Sequence, residues 1–138
     1  MGASADKGVV GNLSELAGRG YTVLPGLLEP TVADSLRDEL DQMLESHADL
    51  SAREGDGEFA GAATRRVYDP LARTRLLDYL VLHPQVNEVL DQALGKQRQL
   101  GMTIVSRIDD VQPAQMLHYD AGIYPLRGSG RAVEVNVI

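Results

Sequence analysis

The sequence predicts an α+β fold, with helices first and strands after them. Apolar residues recur at helical spacing in stretches before Gly95, and from Leu100 onward the pattern changes to β-branched alternation. The composition, 43% hydrophobic and 24% charged, is that of an ordinary globular chain, so both patterns describe packed structure. A length of 138 residues gives one domain with a moderate core, built from Leu, Val, Ile and Ala because aromatic residues are scarce.

Within that single domain, 1–138, the reading is a frayed tail over 1–10, a mainly helical part over 11–98 and strands over 99–138. The tail, MGASADKGVV, lacks the basic and apolar regions of a signal peptide. Asp6 stands where N-myristoylation wants Ser or Thr, so a cytoplasmic protein is expected. NLSELAGRG, residues 12–20, reads as a short helix capped by Asn12 and ended by Gly18 or Gly20. YTVLPGLL, residues 21–28, reads as a short strand broken by a Pro25-Gly26 turn. A longer helix follows. Pro30 suits its first position, and Val32, Leu36, Leu40, Met43 and Leu44 form its apolar stripe.

Residues 47–66 have no period and are rich in Gly, Ala and charge, which predicts a long loop. Residues 71–82 read as a short helix. HPQVNEVLDQALG reads as another, with His83 capping before Pro84, a stripe of Val86, Val89, Leu90 and Leu94, and Gly95 as the stop. Beyond it, LGMTIVSRI is a strand, DDVQPA a loop, QMLHYD a second strand, PLRGSG a turn and RAVEVNVI a third strand. VEVNVI carries no closing turn or polar tail, and an apolar edge of that kind invites pairing. The expectation is a chain cut short of its natural length; the simpler alternatives are a strand that pairs internally before the chain stops, or an edge covered in a homo-oligomer.

Several chemistries are excluded. With no cysteine there is no disulfide, zinc-thiolate site or thiol nucleophile. A net charge of −7 argues against a nucleic-acid partner. No apolar run is long enough to span a bilayer, so no membrane is expected. No Gly-x-Ser-x-Gly elbow accompanies a candidate base.

What remains is His118 and Asp120 in QMLHYDAG. On a strand, residues two apart point to the same face, so imidazole and carboxylate would project together. That pair is two-thirds of the facial triad that holds non-haem Fe(II) and leaves positions open for co-substrate and O₂. The tripeptide by itself favours a plain His–Asp hydrogen bond at a strand end.

Context shifts the balance. GYTVLPGLLEPTVADSLRDEL, HPQVNEVLDQALG and QMLHYDAGIYPL, in that order, resemble the front part of the phytanoyl-CoA dioxygenase family. The last stretch resembles its Gln-x-x-His-x-Asp metal motif, here Gln115, His118 and Asp120. Glu29 stands where many relatives have a Ser cap. The resemblance implies helices packed on the first strands of a double-stranded β-helix, or jelly-roll, barrel. It implies a dioxygenase that hydroxylates a small-molecule substrate with O₂, Fe(II) and 2-oxoglutarate, with His118 and Asp120 as metal ligands. Related halogenases lack the carboxylate, and Asp120 therefore implies hydroxylation.

Ser106 and Gln115 are candidate co-substrate-binding residues, although a local backbone role is the simpler reading of each. Arg65 and Arg66 are candidates for an acidic group or, more simply, a solvated face. Asp109-Asp110 reads as a turn, and Asn136 is expected to face the barrel mouth. The family's distal His and its 2-oxoglutarate-binding Arg match nothing here; His83 is expected to cap a helix and His47 to be exposed. The 138 residues alone are thus expected to be inactive. The alternative is a non-catalytic binding or assembly module that keeps the family's front half. A cupin-type isomerase is disfavoured by the helical first part.

Overall fold

Val67 is 1% exposed and belongs to a core cluster with Met43 and Leu44, against which Val105 packs. A helix and a two-stranded sheet place these four side chains together. The computed structural model describes residues 8–46, 64–108, 110, 114–115, 117–118, 120–125 and 132–138. Contacts divide the chain into two units: 1–29 with 78–99 and 119–138, and 30–77 with 100–118.

In the second of these units, helix α2 spans Pro30–Ser46. Pro30 opens it, and Leu36, Met43 and Leu44 are its buried residues, one stripe at helical spacing. Strands β1 (Thr64–Tyr68) and β2 (Ile104–Ile108) pair antiparallel, with Thr64 opposite Ile108, Arg66 opposite Ser106 and Val67 opposite Val105. Alternation puts Val67, Val105, Arg65 and Arg107 on the face toward α2. Arg107 accordingly reaches Asp41 of α2 at 3.3 Å. Thr64, Arg66, Tyr68, Ile104, Ser106 and Ile108 share the other face, where Ile108 is 67% exposed.

After β1, Asp69 takes a left-handed conformation (φ 54°), and its N–H donates to the Thr103 carbonyl at 3.1 Å. Asp tolerates this region better than most side chains. A 3-10 turn, Pro70–Ala72, follows. The single helix expected over 71–82 is not continuous. Thr74, buried, accepts the Leu76 N–H on its Oγ1 at 3.1 Å, a local bond that competes with the helical ladder. Helix resumes only as α3, Asp78–Val81.

The first unit contains α3, α1 (Gly8–Arg19) and α4 (Pro84–Leu94), and α4 packs with both of the others. Helix α1 begins ahead of Asn12 and ends where Gly20 turns left-handed at φ 81°. Asn12 is therefore inside the helix and buried rather than at its cap. Its side-chain oxygen lies 3.2 Å from the Thr22 hydroxyl, which lies 2.8 Å from a Glu15 carboxylate oxygen. The hydroxyl has one proton to donate, and the nearer carboxylate is its better acceptor.

In α4 the expected signals hold. His83 Nδ1 accepts the Gln85 N–H at 3.3 Å, Pro84 follows at the first position, and Gly95 stops the helix at φ 90°. Val86 and Val89 are buried. Arg98 folds back on α4, pairing with Asp91 and donating to Asn87 Oδ1 at 2.5 Å.

Helices plus an antiparallel pair of strands are consistent with the α+β expectation. Four further local expectations are corrected. Residues 21–28 keep the Pro25-Gly26 turn but form no strand. Thr64, Arg65 and Arg66, expected in the long loop, are strand residues; residues 47–63 lie outside the described residues. The described residues of QMLHYD form no strand, and Asp120 opens a 3-10 turn, Asp120–Ile123. Asp-Ala-Gly is turn chemistry, and it prevails over the apolar residues before it. Residues 132–138 join no ladder either. A strand needs a partner edge, and among the described residues β1 and β2 pair with each other.

Candidate metal centre

The Gln115, His118 and Asp120 motif is not carried on a strand. Gln115 and His118 are exposed and lie in the unit with Ser106. Asp120 is exposed and begins the 3-10 turn in the other unit. Strand alternation therefore no longer supplies the reason for a shared face. What does hold is donor chemistry. A neutral imidazole and a carboxylate suit a first-row divalent metal such as Fe(II).

Asp120 has a defined partner. The Asn136 side-chain amide donates to Asp120 Oδ2 at 2.6 Å. Carboxylates that bind metals are ordinarily oriented by such hydrogen bonds, so the contact fits a ligand role. The alternation of Val133, Val135 and Val137 with Glu134 and Asn136 sets the polar pair apart from the valines, but nothing in the sequence joins Asn136 to Asp120. Two positions before Asn136, Glu134 Oε2 is shielded from solvent with no hydrogen-bond partner among the described residues.

Ser106 sits on β2 opposite Arg66, on the sheet face turned away from α2. Arg65, opposite Arg107, is exposed on the other face. Of the Asp109-Asp110 pair, Asp110 is an exposed turn residue, whereas Asp109 lies outside the described residues. His83 is engaged as a helix cap, and its ring meets Tyr79 edge-on at 5.8 Å between centroids. His47 lies outside the described residues. Among the described residues no group of three or more His, Asp or Glu side chains converges to hold a metal ion. No helix among them is long and apolar enough to cross a membrane.

A family model described as Phytanoyl-CoA dioxygenase (PhyH) matches residues 17–138. No curated protein and no solved structure matches the chain. The matched stretch takes in α2, the sheet, α4 and the whole motif from Gln115 to Asp120.

Proposed function

Because this chain belongs to the phytanoyl-CoA dioxygenase family, we propose that it serves an Fe(II)- and 2-oxoglutarate-dependent hydroxylation of a small molecule, with His118 and Asp120 as iron ligands. Membership implies a dioxygenase-type function in general, with a small-molecule substrate and O₂. The observation that carries the finer reading is the Gln115, His118, Asp120 spacing inside the matched region. The retained Asp120 favours hydroxylation over halogenation.

When bound, iron and 2-oxoglutarate would activate O₂, the oxidant: oxidative decarboxylation of the keto acid would take up one oxygen atom and leave the other for insertion into a C–H bond. The chain's own part is to bind and orient. His118 and Asp120 hold the metal, and Asn136 steadies the carboxylate. Gln115 and Ser106 offer hydrogen bonds to the co-substrate. In this reading β1 and β2 are strands of a jelly-roll barrel, and the face bearing Arg66 and Ser106 is its interior. The protein works in the cytoplasm. Two ligands bind a divalent ion weakly, and His83 is already used as a cap, so the 138 residues alone should show little or no turnover.

Anaerobic titration with Fe(II) and 2-oxoglutarate at high ligand concentration tests the assignment. A weak visible charge-transfer band is expected for the chelate and should vanish in His118→Ala. A band that persists unchanged in that variant sinks the ligand assignment. A coding sequence running in frame beyond Ile138 into a His and then an Arg would support the complete triad.

A further inference from the structure

We infer that Asn136 is a positioning residue for Asp120, fixing the rotation of its carboxylate before a divalent metal arrives. The inference rests on the ligand role proposed for Asp120 and adds a residue outside the motif. Asn136 lies 16 positions beyond Asp120, yet its Nδ2 donates to Oδ2 at 2.6 Å, short for a bond from a neutral amide. Both residues are exposed. An exposed carboxylate loses nothing by remaining in water, so burial does not require this bond. Only some rotamers of an Asp side chain present the carboxylate to a metal, and the Asn136 amide is one contact that selects among them. Holding one oxygen removes part of that freedom, which raises affinity through pre-organisation. An amide suits this task because it donates without adding charge. A Lys or Arg in its place would neutralise the carboxylate and compete with the cation.

The probe is Mn(II), a paramagnetic stand-in for Fe(II) that reports even weak sites by broadening nearby amide resonances. The 138-residue chain and its Asn136→Ala, Asn136→Leu and Asp120→Ala variants are compared with Val137→Ala as a neighbouring control. Wild type should show broadening centred on His118 and Asp120, and Asp120→Ala should abolish it. Asn136→Ala and Asn136→Leu should weaken Mn(II) binding about tenfold, in the range seen for partners of metal-ligating groups. Away from residues 120–123 and 132–138 their spectra should match wild type, and Val137→Ala should bind normally. Asn136 variants that bind within twofold of wild type, while Asp120→Ala abolishes binding, overturn the positioning role and leave the metal site standing. Broadening that is absent from wild type, or indifferent to Asp120→Ala, overturns the metal assignment and the inference with it. Spectra that collapse throughout in both Asn136 variants show a structural role and also overturn the inference.

Discussion

Val67 stands directly opposite Val105 in the two-stranded ladder, and both pack with Met43 and Leu44 of α2. This small cluster joins the helix to the sheet that carries Ser106. Truncating Val67 to Ala removes two methyl groups from a fully buried position. It should lower stability by about 2 kcal/mol once the residual cavity is included. Arg65→Ala, two residues away and exposed, should stay within about 0.5 kcal/mol of wild type. Urea melts of the two variants measure the difference. Equal midpoints would show that the cluster is not the core of its unit.

Asn12 and Thr22 make a second test, in the other unit. Asn12 is 2% exposed inside α1, and its oxygen faces the Thr22 hydroxyl, which also reaches Glu15. Replacing Asn12 by Ala removes a buried polar contact and should cost about 1–2 kcal/mol. Because Thr22 has one proton and two acceptors within reach, part of its bonding survives the change. With Glu15 the better acceptor, a double-mutant cycle with Thr22→Val should give only a small coupling, under roughly 0.5 kcal/mol. Zero coupling would mean that the hydroxyl serves Glu15 alone.

The helical part was legible because its signals are local. Pro30 opens α2, and His83-Pro84 and Gly95 frame α4, each through backbone chemistry within one turn. Asn12 misled for the same reason. A cap residue by local preference, it is placed inside α1 by a partner ten residues away. Strands were harder, since alternation says which residues suit a ladder but not which edge receives them. LGMTIVSRI pairs with Thr64–Tyr68, whose first three residues, with their Arg-Arg pair, fall at the end of the stretch that reads as loop. VEVNVI carries better alternation and joins no ladder. At the candidate site, the residue types and their spacing were legible in QMLHYD, and the family match covers them. The Asn136–Asp120 contact was not, because no local sequence signal pairs two side chains sixteen positions apart.

The ion pair between Arg107 and Asp41 should be a minor contributor to stability. The side chains are 33% and 49% exposed, and their 3.3 Å separation lies in solvent-screened surroundings. Asp41→Asn is expected to cost under about 1 kcal/mol at low salt. That difference should shrink further at 1 M salt, where screening acts over about 3 Å. Melts at two ionic strengths check this, and an undiminished penalty at high salt would mean that the pair is better shielded than its exposure indicates.

His83 and His118 should respond to substitution in opposite ways. His83 Nδ1 accepts the Gln85 N–H at the start of α4, so His83→Ala leaves one helix N–H without that acceptor. A lost cap of this kind costs about 1 kcal/mol, lowering the melting temperature while leaving Mn(II) broadening around His118 and Asp120 unchanged. His118 is exposed and outside any helix or strand, so His118→Ala should shift stability by less than about 0.5 kcal/mol. Its effect should fall on the metal. Mn(II) broadening is expected to disappear, because one carboxylate without the imidazole holds the ion little better than an exposed Asp does. Thermal melts and Mn(II) titrations on both variants separate the roles. Weaker Mn(II) binding in His83→Ala, with the helix intact, would place that imidazole in the ligand set and remove the reason for assigning it to the cap.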